Sequence, residues 1–303
     1  MPTYHQLYFD GILEIVDYLN TSRDNHNHWE KLDGLNNSIE ILPSEQYGVS
    51  LGAFVSEIRD RSGDAINDSI NRIQTIADGI AGDIPHERLP GARVRTHGKT
   101  GSAINVQRLL KGNPDMWRRT VHVDRLTQLR VATIVLNVSW TIDNSPDTIE
   151  HSLAAALGLA SYLEAHGTRC EIWALLLGRR GTTYTNSQAT VEYLFSLKRA
   201  SDPWDISTIA ATARAEFIRR VCFRLMEMGQ ATHGCLTPGY GKPDASYRKH
   251  ITRMLIDRHI DISTLILAPF CVPDGDNDAV RSIDQAIKWA TRQVDTLKST
   301  HNA

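Results

Sequence analysis

The sequence predicts an α/β protein: a three-layer, mainly parallel sheet preceded by an α-rich or mixed N-terminal segment. Three features carry that expectation. Near-continuous aliphatic runs at 130–137, 170–177 and 263–270 have the composition of strands covered on both faces. Helical stripes alternate with these runs, the order that a parallel sheet with crossover helices requires. With 303 residues, 41% of them hydrophobic, the chain can fill a large core.

Near the N-terminus, Tyr8, Phe9, Ile12, Ile15, Val16 and Leu19 recur at helical spacing and predict a helix that stops at Asn20-Thr-Ser. Ile66, Ile70, Ile73, Ala77 and Ile80 form a second stripe, closed by Gly82 and Pro85. The polar, turn-rich stretch 25–48 between them predicts loops. In 88–130, periodicity leaves 104–110 open between a short helix and a short strand. The run 130–137 then predicts a buried strand. Leu153, Ala156, Leu157, Ala160 and Leu163 predict a helix over 148–166, with Gly167 as its stop. A second strand follows at 170–177 and a third at 188–197, and the turn residues between them predict an antiparallel edge hairpin. One long amphipathic helix is expected over 206–228, a buried strand at 263–270 and a last helix over 282–297. The strand at 131–136 should be central and parallel to those at Cys170 and Leu265. The organisation expected is an N-terminal segment, 1–125, and a second domain, 126–303.

Charge is segregated. Residues 1–87 hold 5 Lys+Arg against 15 Asp+Glu, 88–130 hold 10 against 2, and 131–303 hold 18 against 18. Adjacent and nearly equal excesses predict that Arg93, Arg95, Lys99, Arg108, Lys111, Arg118 and Arg119 fold against the acidic segment; the alternative is an anionic partner such as nucleic acid. No run approaches the roughly 18 to 20 apolar residues of a membrane helix, so no membrane partner is expected. The start lacks a basic region followed by an apolar core, which points to the cytoplasm. Cys170, Cys222, Cys235 and Cys271 are far apart and read as small buried residues, not as a disulfide framework or zinc site.

The first strand ends in Asn137-Val-Ser-Trp-Thr. This resembles the von Willebrand factor A domain, a Rossmann-like fold whose first strand ends in Asp-x-Ser-x-Ser and supplies a carboxylate and two hydroxyls to a divalent ion. Here Asn137, Ser139 and Thr141 keep the spacing and the hydroxyls and lose the carboxylate, so the resemblance implies a degenerate site, weak for Mg2+ or Ca2+. Asp202 and Asp205, before the long helix, would complete it. The other reading is a polar turn leading to an N-cap at Ser145, Asp147 or Thr148, with no cofactor. Asp274, Asp276 and Asp278 alternate like the start of a calcium loop, but Gln285 stands where the closing Glu belongs, and a solvated helix start explains them as well. The resemblance covers about 130–298, and 106–117 echoes phage-encoded proteins that join such a domain to a preceding segment, which would act in the host cytoplasm.

Other motifs fail. Thr96-His-Gly-Lys-Thr-Gly has Arg93 where a phosphate-binding loop needs Gly, His26 and His28 lack a second ligand pair, and His233 and Cys235 are too close in sequence to face one another reliably. No catalytic residue is assigned. The resemblance implies a non-enzymatic adaptor or assembly subunit that holds a partner protein, an AAA+ ATPase or a phage component, at its strand-end face. Trp140, Asp143, Asp274, Asp276 and Asp278 are the partner-facing candidates. The alternatives are a nucleic-acid-binding protein using 88–130 and a metal-dependent hydrolase using the aspartates.

Overall fold

A computed structural model describes residues 5–25, 51–60, 63–84, 92–98, 103–104, 109, 117–123, 131–140, 144–180, 189–223, 225, 247–270 and 279–300. Its strands are β1 (His5–Phe9), β2 (Ala92–Gly98), β3 (Ala103–Ile104), β4 (Trp117–Val123), β5 (Ala132–Asn137), β6 (Cys170–Arg180), β7 (Ala189–Lys198) and β8 (Leu265–Leu267). The helices are α1 (Ile12–Asn25), α2 (Leu51–Asp60), α3 (Asp64–Asp83), α4 (Pro146–Ala165), α5 (Tyr247–Asp257) and α6 (Ile283–Thr300), with an irregular helical stretch between β7 and α5. No described helix is long and apolar enough to cross a membrane.

One sheet runs β1-β7-β6-β5-β8 and is mostly parallel, since only the β6–β7 pairing is antiparallel. All six side chains of β5 are buried, which is why its sequence has no polar alternation. It is interior and parallel to both β6 and β8, as its composition predicts. The β6–β7 hairpin forms, but β7 is not the edge, because β1 pairs along it from His5↔Val191 to Phe9↔Phe195. Phe9 therefore belongs to a strand, not to the first helical stripe. Gly11, at φ 105°, turns the chain between β1 and α1, a conformation that favours glycine.

α4 is buried nearly all round, hence its small residues and lack of a polar face. Ser145 caps it by accepting from Thr148 N at 3.2 Å, Pro146 opens its first turn, and Gly167, at φ 86°, closes it. Gly158 lets α3 approach closely: a Cβ there would sit 2.8 Å from Ile76 Cβ and 3.1 Å from Ile73 O. Phe9, Ile73, Ile76, Ile134, Leu157, Phe217 and Ala290 share a single hydrophobic core, so residues before 88 and after 130 pack together.

The single helix expected over 206–228 is broken into an α turn (Ile206–Ile209), a 3₁₀ turn (Ala210–Ala213) and a π-helical turn (Phe217–Cys222). The break falls at Arg214, whose backbone is extended and whose buried guanidinium pairs with Glu57 and Glu216 and lies 5.1 Å over the Phe54 ring. β8 is shorter than its apolar run, and α2 and α5 were not foreseen. The basic stretch forms a separate antiparallel sheet, β2-β4-β3.

Candidate functional site

The carboxyl end of β5 opens into a buried polar turn. Asn137 Oδ1 accepts from Ser139 N at 2.9 Å, and Trp140 Nε1 donates to Asn137 O at 2.8 Å. Because a backbone N–H can only donate, the first bond fixes which side of the Asn137 amide carries oxygen. Its Nδ2 is left buried with no acceptor, in a residue only 2% exposed. Such a donor costs about 1–3 kcal/mol unless an acceptor reaches it. Farther along the loop, Asn144 O accepts from Nη2 of the buried Arg219 at 2.8 Å, and Ser145 begins α4.

Arg219 and Arg220 sit in the π-helical turn, and both are buried. π turns are rare and cluster at functional sites. Just before this turn, Ala215 N donates to Glu150 Oε1 of α4 at 3.3 Å, and Glu150 also pairs with Arg72 of α3 at 2.5 Å. In an ordinary α-helix the run Phe217-Ile-Arg-Arg-Val-Cys puts its apolar residues on one side and both arginines on the other, so its pattern predicts a regular amphipathic helix and not this turn.

Of the residues expected to share a metal, Asp202 and Asp205 do not come together with Asn137 and Ser139. Asp202 and Asp205 follow β7, whose last residue, Lys198, pairs with Ile172 near the start of β6, whereas Asn137 pairs with Leu175. Asp202 O accepts from Arg169 Nη2, and Arg169 O in turn accepts from Ala132 N, so these aspartates lie at the amino end of β5, roughly 17 Å of strand away from Asn137. Their carboxylates serve local turns: Asp202 Oδ2 accepts from Arg199 N at 2.8 Å, and Asp205 Oδ1 accepts from Ser207 N at 3.0 Å. The donor set at Asn137 also does not fit a divalent cation, because its unsatisfied group is an N–H and its oxygen already faces the Ser139 N–H. Trp140, expected to face a partner, is 2% exposed and locks the turn instead. Thr141, Asp143, Asp274, Asp276 and Asp278 lie outside the described residues.

At the opposite end of the sheet, a cleft of about 330 Å³ is lined by Asp10, Gly11, Leu197, Lys198, Asp205 and Thr208, among others. Lys198 is committed elsewhere, donating to Glu164 Oε1 at 2.8 Å, Cys170 O at 2.9 Å and Arg199 O at 3.2 Å. Asp10 pairs with Arg199 at 2.6 Å. Cys170 and Cys222 are free and buried as expected, and burial pushes both thiols far above their ordinary range, so neither is a ready nucleophile. Cys235 and Cys271 lie outside the described residues.

The class defined so far is an α/β protein with a mostly parallel sheet and a buried, donor-bearing turn at the carboxyl end of an interior strand. Residues 6–288 match the family described as Domain of unknown function (DUF7192), and the chain belongs to that family. No curated protein and no solved structure matches it.

Proposed function

We propose that the chain is a non-enzymatic protein-binding subunit, an adaptor or assembly component, built on a von Willebrand factor A-like domain that holds its partner at the carboxyl end of β5. The strand path supports the domain reading: β5, α4, β6, an antiparallel β7, a helical stretch and β8 follow one another in the order the resemblance implies, with β5 interior. Carboxyl ends of parallel strands are where open α/β sheets gather their binding loops.

The observation that carries the proposal is the Asn137 Nδ2 donor, buried without an acceptor at that strand end. A neutral amide donor selects a hydrogen-bond acceptor, and a carboxylate is the strongest acceptor a protein partner offers. In this reading an aspartate or glutamate of the partner takes directly the place that a metal would otherwise bridge, and the loop opens to admit it. No cofactor is needed.

The test is a peptide array probed with wild type and with Asn137→Asp, in EDTA throughout. Retention of acidic peptides by the wild type, reduced at least tenfold by the substitution, is the expected result. Retention that requires added Mg2+, or that survives the substitution, overturns the proposal.

A further inference from the structure

The main sheet has carboxyl ends on both sides. β5, β6 and β8 run one way, and the antiparallel β6–β7 pairing turns β7, and with it β1, the other way. β1 and β7 are neighbouring parallel strands, so the chain leaves both at the same end: β1 through Asp10-Gly11 into α1, and β7 through 199–205 into the turn Ile206–Ile209. Loops that leave adjacent parallel strands together frame a crevice, the usual place for a ligand in an open α/β sheet. Here that crevice is the cleft of about 330 Å³. Gly11 lines it with a φ of 105°, and a Cβ there would meet nothing within 4 Å, so the space beside its backbone is open.

The walls set the chemistry of the occupant. Ile12, Ile58, Leu197 and Ile209 supply an apolar surface, and Leu13, 45% exposed, carries it out to solvent. Lys198 also lines the cleft, but Glu164 neutralises its ammonium at 2.8 Å, and Asp10 is held by Arg199 at 2.6 Å. Asp202 differs. Its Oδ2 accepts from Arg199 N at 2.8 Å and its Oδ1 from Ser201 Oγ at 3.3 Å, both neutral donors, and among the described residues no cation pairs with its carboxylate. Those two bonds leave about two of the carboxylate's roughly four lone-pair sites for a further donor. We propose that this cleft binds a small primary amine with an apolar tail, the ammonium donating to Asp202 and the tail lying along Leu13 and the buried aliphatic wall. Its volume is near the lower bound of about 300 Å³ for small-molecule sites, which suits such a ligand. The cleft lies at the opposite end of the sheet from Asn137, so the inference does not depend on the protein-binding reading.

The experiment is a saturation-transfer NMR titration of the full-length protein at neutral pH with n-hexylamine, hexan-1-ol and hexanoate, which share a tail and differ in head-group charge. Ligands this small bind in the millimolar range. The expected order is hexylammonium about tenfold tighter than hexanol, the gain of one charge-assisted hydrogen bond, with hexanoate weakest. Asp202→Asn can still accept from Arg199 N while losing the charge, and should bring hexylammonium to within about twofold of hexanol. Leu13→Gln, on the exposed wall, should weaken both ligands alike, and Asp295→Asn, at an exposed carboxylate of α6, should change neither. Circular dichroism and melting curves show whether Asp202→Asn is folded; if it is not, the wild-type order of the three head groups and the Leu13→Gln variant decide. No binding of hexylammonium at about 20 mM, hexanoate bound as tightly, an ammonium preference that survives Asp202→Asn in a folded protein, or affinities indifferent to Leu13→Gln overturns the inference.

Discussion

At the scale of single residues, the buried ion pair between Lys198 and Glu164 shows how charge is carried inside this core. The two side chains are 4% and 5% exposed and 2.8 Å apart, and Glu164 also accepts from Cys170 N. The pair joins the C-terminal turn of α4 to the last residue of β7 and the first of β6. Removing one partner strands the other in a low dielectric. Glu164→Gln is therefore expected to destabilise by about 3–5 kcal/mol, read from urea unfolding, while Glu164→Gln/Lys198→Met recovers part of the loss in a double-mutant cycle. A cycle with no coupling would show that the two carbonyls bonded to Lys198 carry it alone. None of this was legible in the sequence, because a lysine at a strand end and a glutamate in the last turn of a helix look like ordinary solvated positions. The same holds for Asn137: its place at a strand end was readable, but the direction of its amide depends on the Ser139 N–H two residues on.

Among the elements, those read correctly are the ones whose burial is uniform or cleanly periodic: β5, β6, α3, α4 and α6. The first helical stripe was extended back through Phe9 because residues 9, 12, 15 and 19 keep helical spacing. The strand at His5–Phe9 is set by its pairing with β7, a contact almost 190 residues away that no local pattern reports. The helix expected over 206–228 failed for a similar reason, since Glu57 on α2 draws Arg214 out of helical geometry. Burial works against the Arg214 charge, yet Glu216 and Glu57 outweigh it and hold the guanidinium above its already high ordinary pKa. The α3–α4 contact is the tightest test of the element packing. Gly158→Ala must push Ile76 or the α3 backbone aside and should cost about 1–3 kcal/mol despite the better helix propensity of alanine. Gly79→Ala meets only Ile287 side-chain atoms, and the outer ones can rotate away, so it should cost less. A Gly158→Ala protein that melts higher than wild type would contradict this packing.

Across the whole molecule, one core holds β1, α1 and α3 together with the sheet and helices that follow residue 130. The protein-binding account stands or falls at the buried turn after β5. The Asn137 side-chain amide can be observed directly. Its pair of resonances in a 15N correlation spectrum is identified by its loss in Asn137→Asp, then followed during titration with an acidic peptide retained on the array and, separately, with MgCl2. The account predicts that the peptide shifts the pair downfield as a hydrogen bond forms and that Mg2+ leaves it in place. A shift with Mg2+ and none with the peptide would contradict it.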